Sequence, residues 1–382
     1  MNLTHRGNKY RIYPTNQQKQ LITKTLGCSR FVYNHMLAAS KEAHEKGESL
    51  CSRNKFNYLL TALKKENPWL AEVDSTALTS ANDALADAFS NFFHKRAAFP
   101  KFRKKKGFGS YTSKRIQNSN NIAIEGNAIK LPKLGRVKAK LHRLPEAGWN
   151  IKSATVSQEA DGKYYASVLF EYDAPPVSYA VDTSNAIGLD YASDGLYVDD
   201  HGHKGSNHKY YRESHKKLAK EQRRLSRKTG ARKGETKSNN YKKQLAKVNK
   251  VHRHIANQRL DHLHKISIEI ANRYDVVCVE SLNMRSMTNK GFGNGKATLD
   301  NGYGMFLTML EYKLADRGKC LVKVEKWFPS SQICHCCGKR HPEMKDLSIR
   351  MMACDCGFLM GRDQNAALNI KEEGLRILAS AA

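Results

Sequence analysis

Residues 334–370 read CHCCGKRHPEMKDLSIRMMACDCGFLMGRDQNAALNI, and two close pairs of cysteines in this stretch run into an acidic residue. The first pair is Cys334-x-x-Cys337, and after sixteen intervening residues the second is Cys354-x-Cys356. Four thiolates at this spacing are typical of a zinc ribbon, in which the metal stabilises a hairpin too small to fold alone. A glycine follows each pair, as a tight turn would require. The stretch predicts one structural zinc site.

The ligand set of this zinc site is open at one point, because the second pair is one residue shorter than C-x-x-C. Cys336 is a spare thiol, and either Cys336 or His335 could replace one of the four cysteines. Five of the nine cysteines fall within residues 334–356. Such clustering in a chain expected to be cytosolic favours metal binding over disulfides, with reduced free thiols as the alternative.

The chain carries a formal net charge of +29, from 65 lysines and arginines against 36 aspartates and glutamates. An excess of this size usually reflects a polyanionic partner. A membrane surface is the competing polyanion, yet no apolar run is long enough to span a bilayer, and the first residues lack the apolar core of a signal peptide. The composition therefore predicts a cytoplasmic protein that binds nucleic acid.

The first half of the chain reads as a small β-domain with a helical insertion. A short strand is expected at 9–14, helices follow from 16 to 93, and residues 120–172 alternate as strands do. The Asp161-Gly162 step within the last segment predicts a hairpin turn.

The second half alternates strands with helices, which indicates an α/β domain. Strands are expected at 186–203, 276–284 and 319–328. Two very basic helices are expected within 209–274, and the last helix at 364–377. Segments rich in turn-forming residues predict a linker at 174–185 and a loop at 289–304.

Three acidic residues stand out because of the elements in which they are expected. Asp190 lies inside an apolar strand, Glu280 ends another, and Asp363 opens the last helix. A carboxylate in an apolar strand is costly to bury unless something compensates its charge. If the three converge on one edge of the sheet, they form a site for Mg²⁺, and two such ions can clamp a phosphodiester during hydrolysis. The alternative is that each acid makes an ordinary cap, salt bridge or surface contact.

Two basic segments are predicted to contact nucleic acid. In the first, aromatic residues alternate with lysines and arginines, which suits phosphate contacts and base stacking. The second has the electrostatics of a surface that follows a phosphate backbone, and a solvated charged face is the alternative for both. The candidate contacts are Lys101, Arg103, Lys104 and Lys105 in the first segment and Lys216, Lys217, Arg223 and Arg224 in the second.

Several motifs together resemble the TnpB family, the transposon-encoded RNA-guided nucleases related to type V CRISPR effectors. The similar stretches are IGLDYASDGLYVD (187–199), VVCVESLNM (276–284), WFPSSQICHCCG (327–338), CDCGFLMGRDQNAALNIK (354–371), YRIYPTNQQ (10–18), CSRFVYNHML (28–37) and FPKFRKKK (99–106). They are spread over nearly the whole chain.

The resemblance implies a fold that is α/β plus β. Its core would be an RNase H-like (RuvC) nuclease domain at 181–333 and 358–382, with a zinc ribbon inserted at 334–357. An OB-like β-barrel, the wedge domain, would occupy 1–15 and 113–180 and carry a helical recognition insertion at 16–112.

The resemblance also implies the activity: an Mg²⁺-dependent, RNA-guided DNA endonuclease. Such a protein binds a guide RNA from the transposon end, recognises a short motif beside the target, and cuts double-stranded DNA that pairs with the guide. We expect Asp190 to bridge two Mg²⁺ ions, with Glu280 and Asp363 each completing one coordination sphere. One protein monomer per RNA is favoured, in the cytoplasm of a prokaryote and associated with the nucleoid.

Two other functions remain open. The first is a guided repressor that binds DNA without cutting it, although all three acids are present. The second is a guide-free nuclease or a transposase-associated protein that acts directly on DNA ends, since RuvC-like acids alone would not exclude it.

Overall fold

The computed structural model describes residues 2–105, 107–174, 181–232, 234–288 and 295–381. The chain forms two compact units, Met1–Pro176 and Val177–Ala382. Within the described ranges, no helix is long and apolar enough to cross a membrane.

The first unit is built on an antiparallel sheet of seven strands. These are β1 (Asn2–Tyr13), β2 (Gly109–Lys114), β3 (Ala123–Glu125), β4 (Ala128–Leu131), β5 (Gly135–Lys140), β6 (Asn150–Gln158) and β7 (Tyr164–Ala174). Their order is β2-β6-β7-β1-β5-β4-β3, so the long first strand lies in the middle and pairs with both β7 and β5. Tyr10 and Phe170 are fully buried in its core. This β-domain was expected, while the closed OB-like barrel stays a prediction.

The hairpin predicted at Asp161-Gly162 is confirmed. It joins β6 to β7, with the backbone N–H of Glu159 donating to the carbonyl of Lys163 at 2.8 Å. Gly162 has φ of +81°, a left-handed conformation that glycine adopts without strain.

Three helices form the predicted insertion: α1 (Asn16–Glu45), α2 (Arg53–Glu66) and α3 (Ser75–Phe93). Thr15 and Gln18 close a capping box at the start of α1. The helices pack around a core of their own that includes Met36, Phe56 and Leu85. The sheet resumes at Gly109, four residues before the expected return at 113.

The second unit contains a four-stranded sheet. Its strands are β8 (Ala186–Tyr191), β9 (Tyr197–Asp199), β10 (Val276–Glu280) and β11 (Cys320–Val324), in the order β11-β10-β8-β9. β11, β10 and β8 are parallel, and β9 runs antiparallel to β8. β11 is shorter than the expected strand at 319–328, because the chain turns after Val324 with the N–H of Phe328 donating to the carbonyl of Glu325. The α/β character predicted for this half is confirmed.

Six helices accompany this sheet: α4 (Tyr210–Ser226), α5 (Asn239–Arg273), α6 (Met284–Met287), α7 (Gly295–Asn301), α8 (Tyr303–Ala315) and α9 (Arg362–Ala381). α4 and α5 are the two predicted basic helices, and Leu218 packs between them against Val248 and Ile255. Helix α7 corrects the loop expected at 289–304, of which 289–294 lies outside the described residues. In the expected linker at 174–185, residues 175–180 also lie outside them.

The two faces of the sheet bury different helices. α5 and α8 cover one face through residues such as Leu263 and Phe306. α9 covers the other through Ile370, which packs against Val276 and Val324. A small hairpin, β12 (Met351–Ala353) and β13 (Leu359–Gly361), directly precedes α9.

Candidate active site and cysteine cluster

Two of the predicted acids lie at the same edge of the second sheet. β8 and β10 are adjacent and parallel, and Leu189 is paired with Val279. Asp190 and Glu280 each follow that pair by one residue, so the pleat brings both carboxylates to the carboxyl ends of the strands. Both side chains are half-buried, which leaves them accessible to a ligand.

The third acid, Asp363, lies in the first turn of α9 and is also half-buried. α9 packs very close to the sheet because a glycine lies at the contact on each side, Gly188 on the strand and Gly374 on the helix. A Cβ built on Gly188 of β8 would be 2.0 Å from the carbonyl oxygen of Ala367, and one on Gly374 of α9 would be 2.4 Å from the sulfur of Cys278. This close packing fixes the helix that carries Asp363 against the strand that carries Asp190.

The charges of the other two acids act on Asp190. Burial, and then the negative charges of Glu280 and Asp363, raise the pKa of Asp190 well above its usual range, against a weaker opposing effect of Arg362. Burial raises the pKa of Glu280 to about 7. Within the described part of the chain, no lysine, arginine or histidine forms an ion pair with any of the three. A cation placed among them would relieve this repulsion.

The oxygens of these three acids do not all lie within 4.8 Å of one another. That spacing excludes a single tightly closed cation cage made from these side chains as they stand. A pair of ions about 4 Å apart needs a more widely spaced set of ligands, since carboxylates on opposite sides of such a pair bind different ions.

The four predicted cysteines do converge. The sulfurs of Cys334, Cys337, Cys354 and Cys356 all lie within 4.8 Å of one another, and they form the metal-ligand cluster of the described residues. The sulfur-to-sulfur distance is 3.8 Å for Cys334 and Cys356 and 3.5 Å for Cys337 and Cys354. Four soft thiolates in a compact group suit tetrahedral zinc.

The two alternative zinc ligands, Cys336 and His335, are not part of the cysteine cluster. Cys336 is exposed and lies outside the cluster. His335 directs its Nδ1 to the side-chain oxygen of Asn369 at 3.2 Å. The fourfold cysteine set is therefore the one that the geometry favours, despite the short second pair.

Two tight turns shape the cluster. The N–H of Gly338 donates to the carbonyl of Cys334, and the N–H of Gly357 donates to that of Cys354, both at 2.9 Å. Hydrogen bonds from the backbone N–H of Cys356 and then with His341 lower the pKa of Cys354 to about 6, whereas burial and hydrogen bonds with the other cluster thiols raise the pKa of Cys356 to about 12. The lowered pKa makes Cys354 the thiol most readily available as the thiolate that binds metal.

Two buried asparagines connect the first of these turns to α9. The amide of Asn365 donates to the carbonyl of Ile333 at 2.7 Å, while its oxygen accepts from the N–H of His335 at 3.0 Å. The amide of Asn369 donates to the carbonyls of Ser330 and Ile333 at 2.8 and 2.7 Å. The helix that carries Asp363 is thus hydrogen-bonded to the backbone beside the first cysteine pair, through two asparagines that the sequence analysis did not single out. The i, i+4 spacing of two asparagines in an apolar helix was the available signal.

Arg362 forms a second link at the start of the same helix. It is buried, and its guanidinium donates to the carbonyl of Asp346 at 2.9 Å. Its backbone N–H donates to the carbonyl of Arg350, also at 2.9 Å. The residue before Asp363 is therefore held by the chain between the two cysteine pairs.

The predicted nucleic-acid contacts all lie on the surface. The exposed side chains are those of Lys101, Arg103, Lys104, Lys105, Lys216, Lys217, Arg223 and Arg224. The first segment is fixed to α1, since the side chain of Asn34 makes two hydrogen bonds to the backbone of Arg103. In the second, Arg224 pairs with Glu221 at 2.9 Å. Exposure alone does not distinguish a phosphate contact from a solvated surface.

Three family descriptions match parts of the chain. Residues 303–370 match "Cas12f1-like, TNB domain", and residues 167–291 match "Probable transposase". Residues 1–49 match "Helix-turn-helix domain", although here they form strand β1 and the single long helix α1.

Similar proteins extend over almost the full length. A protein of Streptomyces pristinaespiralis is 35% identical over 98% of this chain and 90% of its own length. InsQ of Escherichia coli K12 is 31% identical over 97% of this chain and 92% of its own length. Both bear the name "Putative RNA-guided DNA endonuclease". "TnpB-like protein L79" of Acanthamoeba polyphaga mimivirus is 32% identical over 37% of this chain and 28% of its own.

The fold has a counterpart among solved structures. It is Cas12f1, in the cryo-EM structure of the complex of Cas12f1 with sgRNA and target DNA. The match has a TM-score of 0.55 and 14% sequence identity, and it covers 97% of this chain and 99% of that chain. At this identity the match supports the fold alone.

The motifs and the full-length relatives together establish that this chain belongs to the TnpB family.

Proposed function

We propose that this protein is an RNA-guided DNA endonuclease with its hydrolytic site at Asp190, Glu280 and Asp363. The observation that carries the proposal is the position of these acids. Asp190 and Glu280 lie at the carboxyl ends of two adjacent parallel strands, and Asp363 lies in the first turn of the helix packed on those strands. No lysine, arginine or histidine of the described residues forms an ion pair with any of the three. The names of the full-length relatives support the same activity.

The three acids fit a site for Mg²⁺. They offer oxygen ligands alone, they are half-buried rather than sealed, and their mutual repulsion favours a bound cation. When bound there, divalent ions would lower the pKa of a water and neutralise charge on a phosphodiester. The protein's own side chains would supply the oxygen ligands at one sheet edge, with α9 fixed by its close contacts.

The cysteine cluster fits zinc, which would serve as a structural metal. Its ligands Cys334, Cys337, Cys354 and Cys356 are already gathered, and Asn365 on α9 binds the backbone beside the first pair. A filled cluster would therefore stiffen the support of Asp363. This is the reason that we propose for the close spacing of the cysteines and the acid along the chain.

The partners proposed are a guide RNA from the transposon end and a double-stranded DNA target beside a short recognised motif. The net charge of +29 suits two nucleic-acid strands, and the exposed lysines and arginines of 101–105 and α4 are proposed to contact their phosphates. Sequence selection would come chiefly from base pairing with the guide.

The test is cleavage of a guide-complementary DNA by the RNA-loaded protein in Mg²⁺. Asp190→Ala and Glu280→Ala should each abolish cutting while leaving DNA binding intact, and Ca²⁺ should support binding but not cutting. Parent-like cutting by both variants would overturn the proposal. Guide-dependent DNA binding without cutting by the parent would identify a guided repressor. Cutting of branched DNA by RNA-free protein would identify a guide-free nuclease.

A further inference from the structure

Asp200 lies in a tight turn that follows β9. The carboxylate of Asp199 accepts a hydrogen bond from the backbone N–H of His203 at 2.7 Å, and the backbone N–H of Asp199 donates to the carbonyl of His203 at 2.9 Å. Gly202 has φ of +82°, and a Cβ built on it would be 3.0 Å from the side chain of Gln364. The turn is therefore closed by its own hydrogen bonds and packs against the start of α9.

The backbone of Asp200 connects the strand that carries Asp190 to the helix that carries Asp363. Its N–H donates to the carbonyl of Gly188, two residues before Asp190, at 3.2 Å. Its carbonyl accepts from the side-chain amide of Gln364, the residue after Asp363, at 3.3 Å. One residue is thus hydrogen-bonded beside two of the three acids.

The side chain of Asp200 holds the same helix at a second point. It is only 2% exposed, and its Oδ2 accepts from the ammonium of Lys371 at 2.8 Å. Gln364 and Lys371 are seven residues apart, which is close to two helical turns, so both lie on one face of α9. Two directional contacts along one face oppose rotation of the helix about its own axis.

Such a rotation would displace Asp363. A carboxylate at the outer radius of a helix lies about 5 Å from the axis, so a rotation of about 10° would move it by about 1 Å. Distances between a metal and its ligands hold to within about 0.2 Å. A small rotation of α9 is thus enough to impair a metal site to which Asp363 contributes.

The ion pair of Asp200 is a poor source of net stability. The cost of taking two charges out of water offsets most of the attraction between them. Moreover, Oδ1 of Asp200 is buried and accepts no hydrogen bond from the described residues, since the nearby ring nitrogen of His201 is 4.0 Å away. A carboxylate buried in this way costs free energy. What the pair adds is position rather than stability.

We propose that Asp200, through its ion pair with Lys371, is a positioning residue that sets the place of Asp363 relative to Asp190. It acts through α9 and is not itself a ligand, and its effect is on the affinity of the three-acid site for divalent ions. The inference deepens the proposed endonuclease function and rests on the metal site of that function.

Paired substitutions separate this role from a structural one. Asp200→Asn/Lys371→Met removes both charges at similar volume, so no buried charge is left unpaired. Asp200→Asn alone keeps an oxygen that can accept from Lys371. The matched control is Asp275→Asn/Lys319→Met, which removes an ion pair of 3.0 Å at the opposite, amino ends of β10 and β11.

Metal binding is measured first, by titrating Mn²⁺ into the whole chain without RNA and following free Mn²⁺ by electron paramagnetic resonance. Ions bound by the parent and lost in Asp190→Ala report on the three-acid site. Asp200→Asn/Lys371→Met should bind these ions about 10-fold or more weakly, as is usual when a group that orients metal ligands is removed. Asp200→Asn and the control should keep the parent's affinity.

A further variant covers the case in which the double variant folds poorly. Gln364→Met removes the other contact of Asp200 on α9 without touching a buried charge. It should weaken Mn²⁺ binding in the same direction.

Cutting by the RNA-loaded protein gives a second readout. Asp200→Asn/Lys371→Met should need about 10-fold more Mg²⁺ for its half-maximal rate, with the KM for target DNA unchanged, and excess Mg²⁺ should restore the rate. An ion pair that only stabilises the fold would lower the melting temperature and leave the Mg²⁺ dependence as it is in the parent.

Parent-like Mn²⁺ affinity in the folded double variant, or in Gln364→Met where the double variant does not fold, would overturn the positioning role. An equal loss of affinity in Asp275→Asn/Lys319→Met would also overturn it, because the effect would then not depend on contact with α9. A parent that binds no more Mn²⁺ than Asp190→Ala would overturn both this role and the metal site. Weak Mn²⁺ binding by the double variant, together with a parent that does not cut guide-complementary DNA, would sink the endonuclease function alone.

Discussion

Adding a single methyl group at Gly188 should push α9 away from the strand that carries Asp190. The new Cβ would lie 2.0 Å from the backbone carbonyl oxygen of Ala367, whereas real Cβ contacts essentially never fall below 3.0 Å. The helix or the strand must therefore shift by about 1 Å, the difference between 3.0 and 2.0 Å. Because the obstructing atom belongs to the backbone, we expect a cost near the upper end of overpacking, about 3 kcal/mol.

This shift should affect cutting more than folding. A displacement of about 1 Å at a catalytic group can cost roughly 100-fold in rate. For a unit of this size, about 3 kcal/mol lowers the melting temperature by roughly 6–12 °C. Single-turnover cleavage by RNA-loaded Gly188→Ala, measured well below its melting temperature, should therefore be about 100-fold slower, with guide RNA binding unchanged.

The chain offers a matched control for this substitution. Gly361 lies two residues before Asp363, as Gly188 lies two residues before Asp190. A Cβ built on Gly361 meets nothing within 4 Å, and Gly361 is not among the residues with positive φ. Gly361→Ala should therefore keep the parent's rate and melting temperature. A Gly188→Ala protein that cuts at the parent's rate would refute the idea that this close approach sets the position of Asp363.

Three further changes test other parts of the structure. Asn369→Leu should leave the buried carbonyl of Ser330 without its donor, which lowers the free energy of unfolding by about 1–3 kcal/mol. Zinc release to a chromogenic chelator should become faster, and an unchanged rate of release would argue against the hydrogen-bonded connection between α9 and the cysteine cluster. Removing zinc with a zinc-selective chelator should stop cutting in excess Mg²⁺, and added zinc should restore it. Burial lowers the pKa of Lys313 to about 8 from 10.5, so above pH 8 the unfolded chain holds more protons and stability contributed by this residue rises with pH. Compared with Lys313→Met, the parent should gain at most about 3 kcal/mol between pH 8 and 10.5 in denaturant titrations, and a loss over that window would contradict the assignment.

The sequence was most informative where chemistry and periodicity coincide. The pattern correctly placed Asp190 inside an apolar strand, β8, and Glu280 at the end of another, β10. The cysteine spacing likewise identified the four thiols that converge. Both signals are short-range, because the strand pattern spans about six residues and the four cysteines fall within residues 334–356.

Features that depend on contacts between distant segments could not be predicted in this way. The need for glycine at position 188 arises only because α9 packs on that strand, and Gly188 and Ala367 are 179 positions apart in the sequence. Asn365 and Asn369 read as ordinary polar positions until their partners in residues 330–335 are known. Helix α7 was missed because its glycine- and asparagine-containing sequence reads as a loop, while in the fold Asp300 accepts hydrogen bonds from the start of α4 and pairs with Arg259.

The most direct test of the three-acid site is to locate a metal at it. Anomalous diffraction from crystals of the protein soaked in Mn²⁺ would mark any divalent ion by its own scattering. Manganese peaks should lie against carboxylate oxygens of Asp190, Glu280 and Asp363, and none should be present there in a crystal of Asp190→Ala. Absence of manganese from these acids, at a concentration that supports DNA cutting, would show that the three carboxylates are not the metal site.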